Sequence, residues 1–89
     1  LGMDDVVSAY YLRLRVQDVP GVMARISTIL SQGNISIESL IQKDVRAGEV
    51  PIVIVTNEVQ ERALNLAITE IEAMEQMKGK VTRIRVENI

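Results

Sequence analysis

Apolar and polar residues alternate from Ser8 to Gln17. Tyr10, Leu12, Leu14 and Val16 fall on one side, and Tyr11, Arg13, Arg15 and Gln17 on the other. A period of two predicts a strand with one buried face and one wet or partner-facing side. From Val22 the period lengthens: Val22, Ile26, Ile29 and Leu30 form one helical stripe, while Arg25, Ser27 and Ser31 fall outside it. Gly33-Asn34 ends this helix, because both residues tolerate positive φ. Ile35 to Lys43 reads as a second strand, with Ile35, Ile37 and Ile41 on a common face interrupted by Ser39. Residues 44–49 form a polar hairpin connection. Pro51 then opens a third strand, Ile52-Val53-Ile54-Val55-Thr56. That run is apolar on both sides, which places it centrally or beneath an interface.

Asn57 with Gln60 has the form of a capping box for a second helix. Leu64, Ala67, Ile68, Ile71 and Met74 would be its core stripe, with Met77 at the core's edge. Met77-Lys78-Gly79-Lys80 reads as a loop. In the last strand, near Val81 to Glu87, Thr82, Ile84 and Val86 are expected to point inward and Arg83, Arg85 and Glu87 outward. The order is strand, helix, strand, strand, helix, strand, with no internal repeat or low-complexity linker. Such a βαββαβ chain closes into an α+β, ferredoxin-like fold: a four-stranded antiparallel sheet with two helices on one face.

Composition narrows the functions available. The chain has 89 residues, 47% of them hydrophobic and 25% charged, which suits one globular domain. A lone domain of this size buries roughly 60–65% of its unfolded surface. That makes further burial against a partner or a longer parent chain plausible. Phe and Trp are absent, so the core falls to Ile, Val, Leu and Met. With 10 basic and 12 acidic residues the net charge is −2, without the basic excess of a nucleic-acid binder. Cysteine and histidine are both absent, which removes thiol chemistry, the commonest general base and the commonest metal ligand. Catalysis would have to rest on Asp18, Lys43 or the two tyrosines, and no base–nucleophile pair is visible. No apolar run approaches the roughly 20 residues that span a bilayer, and no secretory pattern opens the sequence. A cytoplasmic protein bound to neither membrane nor nucleic acid is expected. Residues 1–8 read as an extension from a preceding domain, and residues 9–89 as the domain itself.

The candidate chemistry lies at Asp18-Val19-Pro20-Gly21-Val22, between the first strand and the first helix. Pro fixes one backbone angle and Gly frees another, so the turn is tight and its backbone approachable. The unpaired N–H groups that open the helix suit a carboxylate, such as that of an amino acid. Asp18 has two readings: it orients a ligand's ammonium group, or it caps the helix. Arg13 and Arg15, with Arg83 and Arg85, would form a basic patch if the first and last strands are neighbours. Without stacking aromatics this reads as a solvated face. Glu70, Glu72 and Glu75 read as solvated helix surface, not a metal site.

A βαββαβ domain of this length with Asp-x-Pro-Gly-Val after its first strand resembles an ACT domain, a regulatory module that binds amino acids. The likeness runs from about Ala9 to Val86. Residues 10–16, 35–39, 41–43 and 51–56, with Val81-Thr82-Arg83-Ile84-Arg85-Val86-Glu87 at the end, are similar to the C-terminal ACT domain of bacterial homoserine dehydrogenases. That resemblance implies a parent oxidoreductase that uses NADP or NAD. Its nucleotide-binding part is not in these residues, which contain no G-x-G-x-x-G and imply no cofactor of their own. It further implies feedback control by threonine and a homo-oligomer, a dimer through ACT pairing. The effector would lie between the turn of one copy and the second strand of another. Carried over by position, the effector residues are Asp18, Val19, Pro20, Gly21, Val22 and Ser36. Ser36 stands where ligand-binding members often have Asn, and Asn34 stands where Gly is usual after the first helix. The competing reading is a structural oligomerisation domain of the same enzyme that binds no effector.

Overall fold

The computed structural model describes residues 7–86. Its elements are β1 (Val7–Gln17), α1 (Val22–Gln32), β2 (Ile37–Gln42), β3 (Glu49–Thr56), β4 (Val59–Gln60), α2 (Glu61–Glu72) and β5 (Met77–Val86). The strands form one antiparallel sheet in which β3 lies between β2 and β1, and β5 pairs with the other edge of β1. The doubly apolar β3 is thus internal, as expected. β4 continues the β3 edge: Ser8 and Val7 pair with Val59 and Gln60, after a one-residue offset from the β1–β3 register. At that offset the buried Thr56 hydroxyl accepts the Tyr10 N–H at 3.1 Å, filling in for a ladder bond. The sheet is therefore the expected four-stranded one plus this short fifth strand. Val7 and Ser8, placed by sequence in the extension, open β1; residues 1–6 lie outside the described residues.

The core forms where the period-two face of β1 meets the period-3.6 stripes of the helices. Tyr10, Leu12, Leu14 and Val16 pack with Ile52 and Ile54 of β3, with Val22, Ile26, Ile29 and Leu30 of α1, and with Leu64, Ala67 and Ile71 of α2. α1 stops in a Schellman arrangement. Asn34 adopts φ 58°, Ile35 N–H donates to Leu30 O at 2.9 Å, and Asn34 N–H donates to Ser31 O at 3.0 Å. Gly33 stays at φ −86°, so only Asn34 uses the left-handed region that both residues tolerate. Between β2 and β3, Ala47 and Gly48 have φ 52° and 77°, and Arg46 and Glu49 exchange both backbone hydrogen bonds at 2.9 Å. This two-residue turn matches the twist of a hairpin.

Four local expectations are corrected. The capping box does not form: α2 begins at Glu61 after Gln60, which makes no side-chain cap bond, and Asn57 N–H instead donates to Ser36 O at 3.0 Å. The stretch from Met77 to Lys80 is strand, not loop. A register shift at Glu38 reverses the faces of β2. Ile37 and Leu40 therefore pack toward the core, while Ile41, opposite Val53, is 49% exposed on the open side. In β5 the expected faces are also exchanged, but not by its register shift, which adds two residues and so leaves the alternation in phase: even-numbered residues face the open side from Lys78 to Val86. Thr82 and Ile84 stand opposite Arg13 and Tyr11 on the open face, and Ile84 and Val86 are 50% and 41% exposed. Arg83 lies on the helix side instead, hydrogen-bonded to Asn65 and paired with Glu61 at 3.8 Å, both on α2.

Candidate functional site

β1 delivers its chain to the turn at Asp18, whose N–H donates to Gly48 O at 2.9 Å and ties the turn to the β2–β3 hairpin. Val19 N–H folds back to Gln17 O at 3.0 Å. Gly21 then adopts φ 88° as the residue preceding α1, and its carbonyl accepts the first helical bond from Arg25 N–H at 3.0 Å. A Cβ added at Gly21 would meet nothing within 4 Å, so the space over the turn is open. Asp18, Val19, Pro20 and Gly21 are exposed, while Val22 is buried and anchors the helix to the core.

Among the described residues no side chain caps α1, and its first turn holds no acidic residue. The capping reading of Asp18 is therefore not realised. The carboxylate stays in solvent, and the helix's leading N–H groups are left without a side-chain acceptor. The helix dipole adds a positive potential at this point. Chemically, the turn offers donors for a carboxylate and, in Asp18, an acceptor for an ammonium group.

Ser36 lies at the other end of α1. With 11 residues that helix is about 16 Å long, so the turn and Ser36 do not converge within one chain. Ser36 is exposed and lines an open depression of about 430 Å³ with Ser27, Ser31, Asn34, Ile35 and Ile37. Sequence reasoning set Ser27 and Ser31 aside as positions off the apolar stripe. Their i, i+4 spacing beside a third serine just past the helix end was the available signal. β2, which follows Ser36, pairs among the described residues only with β3 and forms an outer edge of the sheet.

The anticipated basic patch is split. β1 and β5 are neighbours, but Arg83 and Arg85 register with Leu12 and Tyr10, on the opposite side from Arg13 and Arg15. The three glutamates of the α2 region also differ in role. Glu70 and Glu75 are exposed, whereas the Glu72 carboxylate accepts the Val81 N–H at 2.8 Å and fastens β5 to α2. Among the described residues, no helix is long and apolar enough to cross a membrane.

The same architecture and many of the same residues occur in known proteins. The chain is 49% identical over 84 residues to the homoserine dehydrogenase of Pseudomonas aeruginosa, a match covering 92% of this chain and 19% of that enzyme. A crystal structure of a homoserine dehydrogenase from Thiobacillus denitrificans superposes with a TM-score of 0.90 at 44% identity, covering 99% of this chain and 19% of that one. The chain thus spans about a fifth of the length of the curated relatives it matches. At 13% identity, the ACT domain from the GTP pyrophosphokinase of Chlorobium tepidum shares the fold, with a TM-score of 0.72 over 89% of this chain and all of that one. The ACT domain model matches residues 10–76, from within β1 to the threshold of β5, and on that match the chain belongs to the ACT domain family.

Proposed function

We propose that this chain is the regulatory domain of a homoserine dehydrogenase and that it binds a small amino acid, threonine first among the candidates. The observation that carries this reading is the uncapped, unobstructed α1 N-terminus at Asp18–Val22 in a chain 49% identical to such an enzyme over 92% of its length. The effector's carboxylate would take the backbone donors around Gly21 and Val22, with Val19 and Pro20 shaping the approach and Asp18 facing its ammonium group. Ser36 would come from a second copy, because one chain holds it at the far end of α1. Its hydroxyl can both donate and accept a hydrogen bond.

Regulation would then be linkage: an effector held between two copies favours the arrangement of subunits that holds it best and shifts the parent enzyme toward that state. Reduction or oxidation with NAD or NADP would belong to the parent's other segments, and the fragment itself needs no cofactor. A homodimer formed through ACT pairing, in the cytoplasm, completes the proposal.

A second reading has its own support. The open sheet face exposes Ile41, Ile84 and Val86 together with the β2 edge, which suits assembly without an effector. Determining a structure from crystals grown with threonine separates the two. The regulatory reading requires density for threonine against the Asp18–Val22 backbone and Ser36 of an adjoining copy. Paired copies with that space solvent-filled would favour the assembly reading.

A further inference from the structure

The open face of the sheet has two unlike halves. Around Tyr11, Val53, Val55 and Ile84 it is apolar. Toward the β1–α1 turn it carries Arg13 and Arg15 on β1, with Lys78 of β5 directly opposite Arg15. An uninterrupted antiparallel ladder from that pair would set Lys80 against Arg13. Instead Thr82 stands opposite Arg13, so residues 79–81 face Leu14 alone. Gly79 makes this possible at φ 75°, and the Val81 N–H is held on the other side of the sheet by Glu72 of α2. Bulges of this kind re-aim side chains. Here Lys80 joins Arg13 and Arg15 in lining an open depression of about 360 Å³, completed by Leu14, Pro51 and Thr82.

Four of the ten basic residues of a chain with net charge −2 thus gather at one end of one face. Among the described residues Arg15 has one ion-pair partner, Glu49 at 3.8 Å, while Arg13, Lys78 and Lys80 have none. Like charges directly across a ladder, as Arg15 and Lys78 are, weaken the pairing they sit on. Nothing in the packing of the core calls for this concentration of positive charge.

We propose that this depression binds a small polyanion with two linked phosphoryl groups, as free pyrophosphate or as the diphosphate of a nucleotide. The guanidinium groups of Arg13 and Arg15 match phosphoryl oxygens in pairs, Lys78 and Lys80 add compact positive charge, and Thr82 supplies a hydroxyl donor. The depression falls in the size range of small-molecule sites. It is separate from the amino-acid reading, since neither the Asp18–Val22 turn nor Ser36 lines it.

The test is titration of the 15N-labelled chain with sodium pyrophosphate, and in parallel with ADP, at about 0.01 M ionic strength, where screening is weak. The site predicts saturable amide shifts centred on residues 13–15 and 78–82, weakening as ionic strength rises to about 0.1 M. The double variant Arg13→Gln, Lys80→Gln is expected to lower affinity about tenfold or more with an unchanged amide spectrum elsewhere, and Lys78→Gln to lower it less. Equal affinity for the two probes assigns recognition to the phosphates alone, and tighter ADP binding assigns it to a nucleotide; both uphold the site. No saturable shift with either probe, shifts centred elsewhere, or undiminished binding by the double variant overturns it.

Discussion

Gly21 shapes the turn proposed to hold the effector. It sits at φ 88°, and the space where a Cβ would stand is empty. Gly21→Ala therefore loses backbone comfort only, about 1–2 kcal/mol, seen as a lower midpoint in chemical denaturation. Ser36 is the opposite case. Exposed and outside the core, its change to Ala is expected to leave stability within about 0.5 kcal/mol. Threonine affinity should nonetheless fall about fivefold, the value of one lost hydrogen bond, as read by calorimetric titration. Tyr10 carries a cost of the fold: its ring is core, yet its buried hydroxyl has no hydrogen-bond partner among the described residues. Tyr10→Phe should be neutral or stabilising by about 1 kcal/mol in thermal unfolding, because an unpaired buried donor is removed with the ring kept.

At the level of elements, alternation and helical spacing were enough to locate β1, α1, β3 and α2 with their core residues, because burial acts on those patterns directly. The bulges were hidden. A residue inserted opposite a partner strand leaves no mark on the strand's own alternation, yet it flips every side chain beyond it. That is why Ile41 is expected inward; in β5 the two extra residues keep the alternation in phase, and the inward expectation for Ile84 and outward one for Arg83 follow from their polarity alone. Asn57 misled for a different reason: a short β4 follows it, so the helix starts three residues later than its polar side chain suggested. The Asp18–Val22 turn was legible from Pro and Gly, whereas its separation from Ser36 by the length of α1 emerges only once both ends of the helix are placed. Glu72 now has a defined task at the β5 bulge. Glu72→Ala is expected to destabilise by about 1–2 kcal/mol and to speed hydrogen exchange at Val81 above all.

For the whole molecule, the unused β2 edge and the apolar patch of the open face both favour association, and the effector site proposed for this chain is complete only across two copies. Effector binding and pairing must then promote each other by the same factor. Threonine is expected to lower the dimer dissociation constant measured by sedimentation, and dilution into monomers to abolish threonine binding. On the function proposed for this chain, the main chain of its β1–α1 turn senses an amino acid. Isothermal titration of threonine into the concentrated, paired chain tests it most directly. A saturable heat is expected, larger than any given by isoleucine, methionine, serine or lysine. The absence of heat from all five in a sample shown to be paired would contradict it.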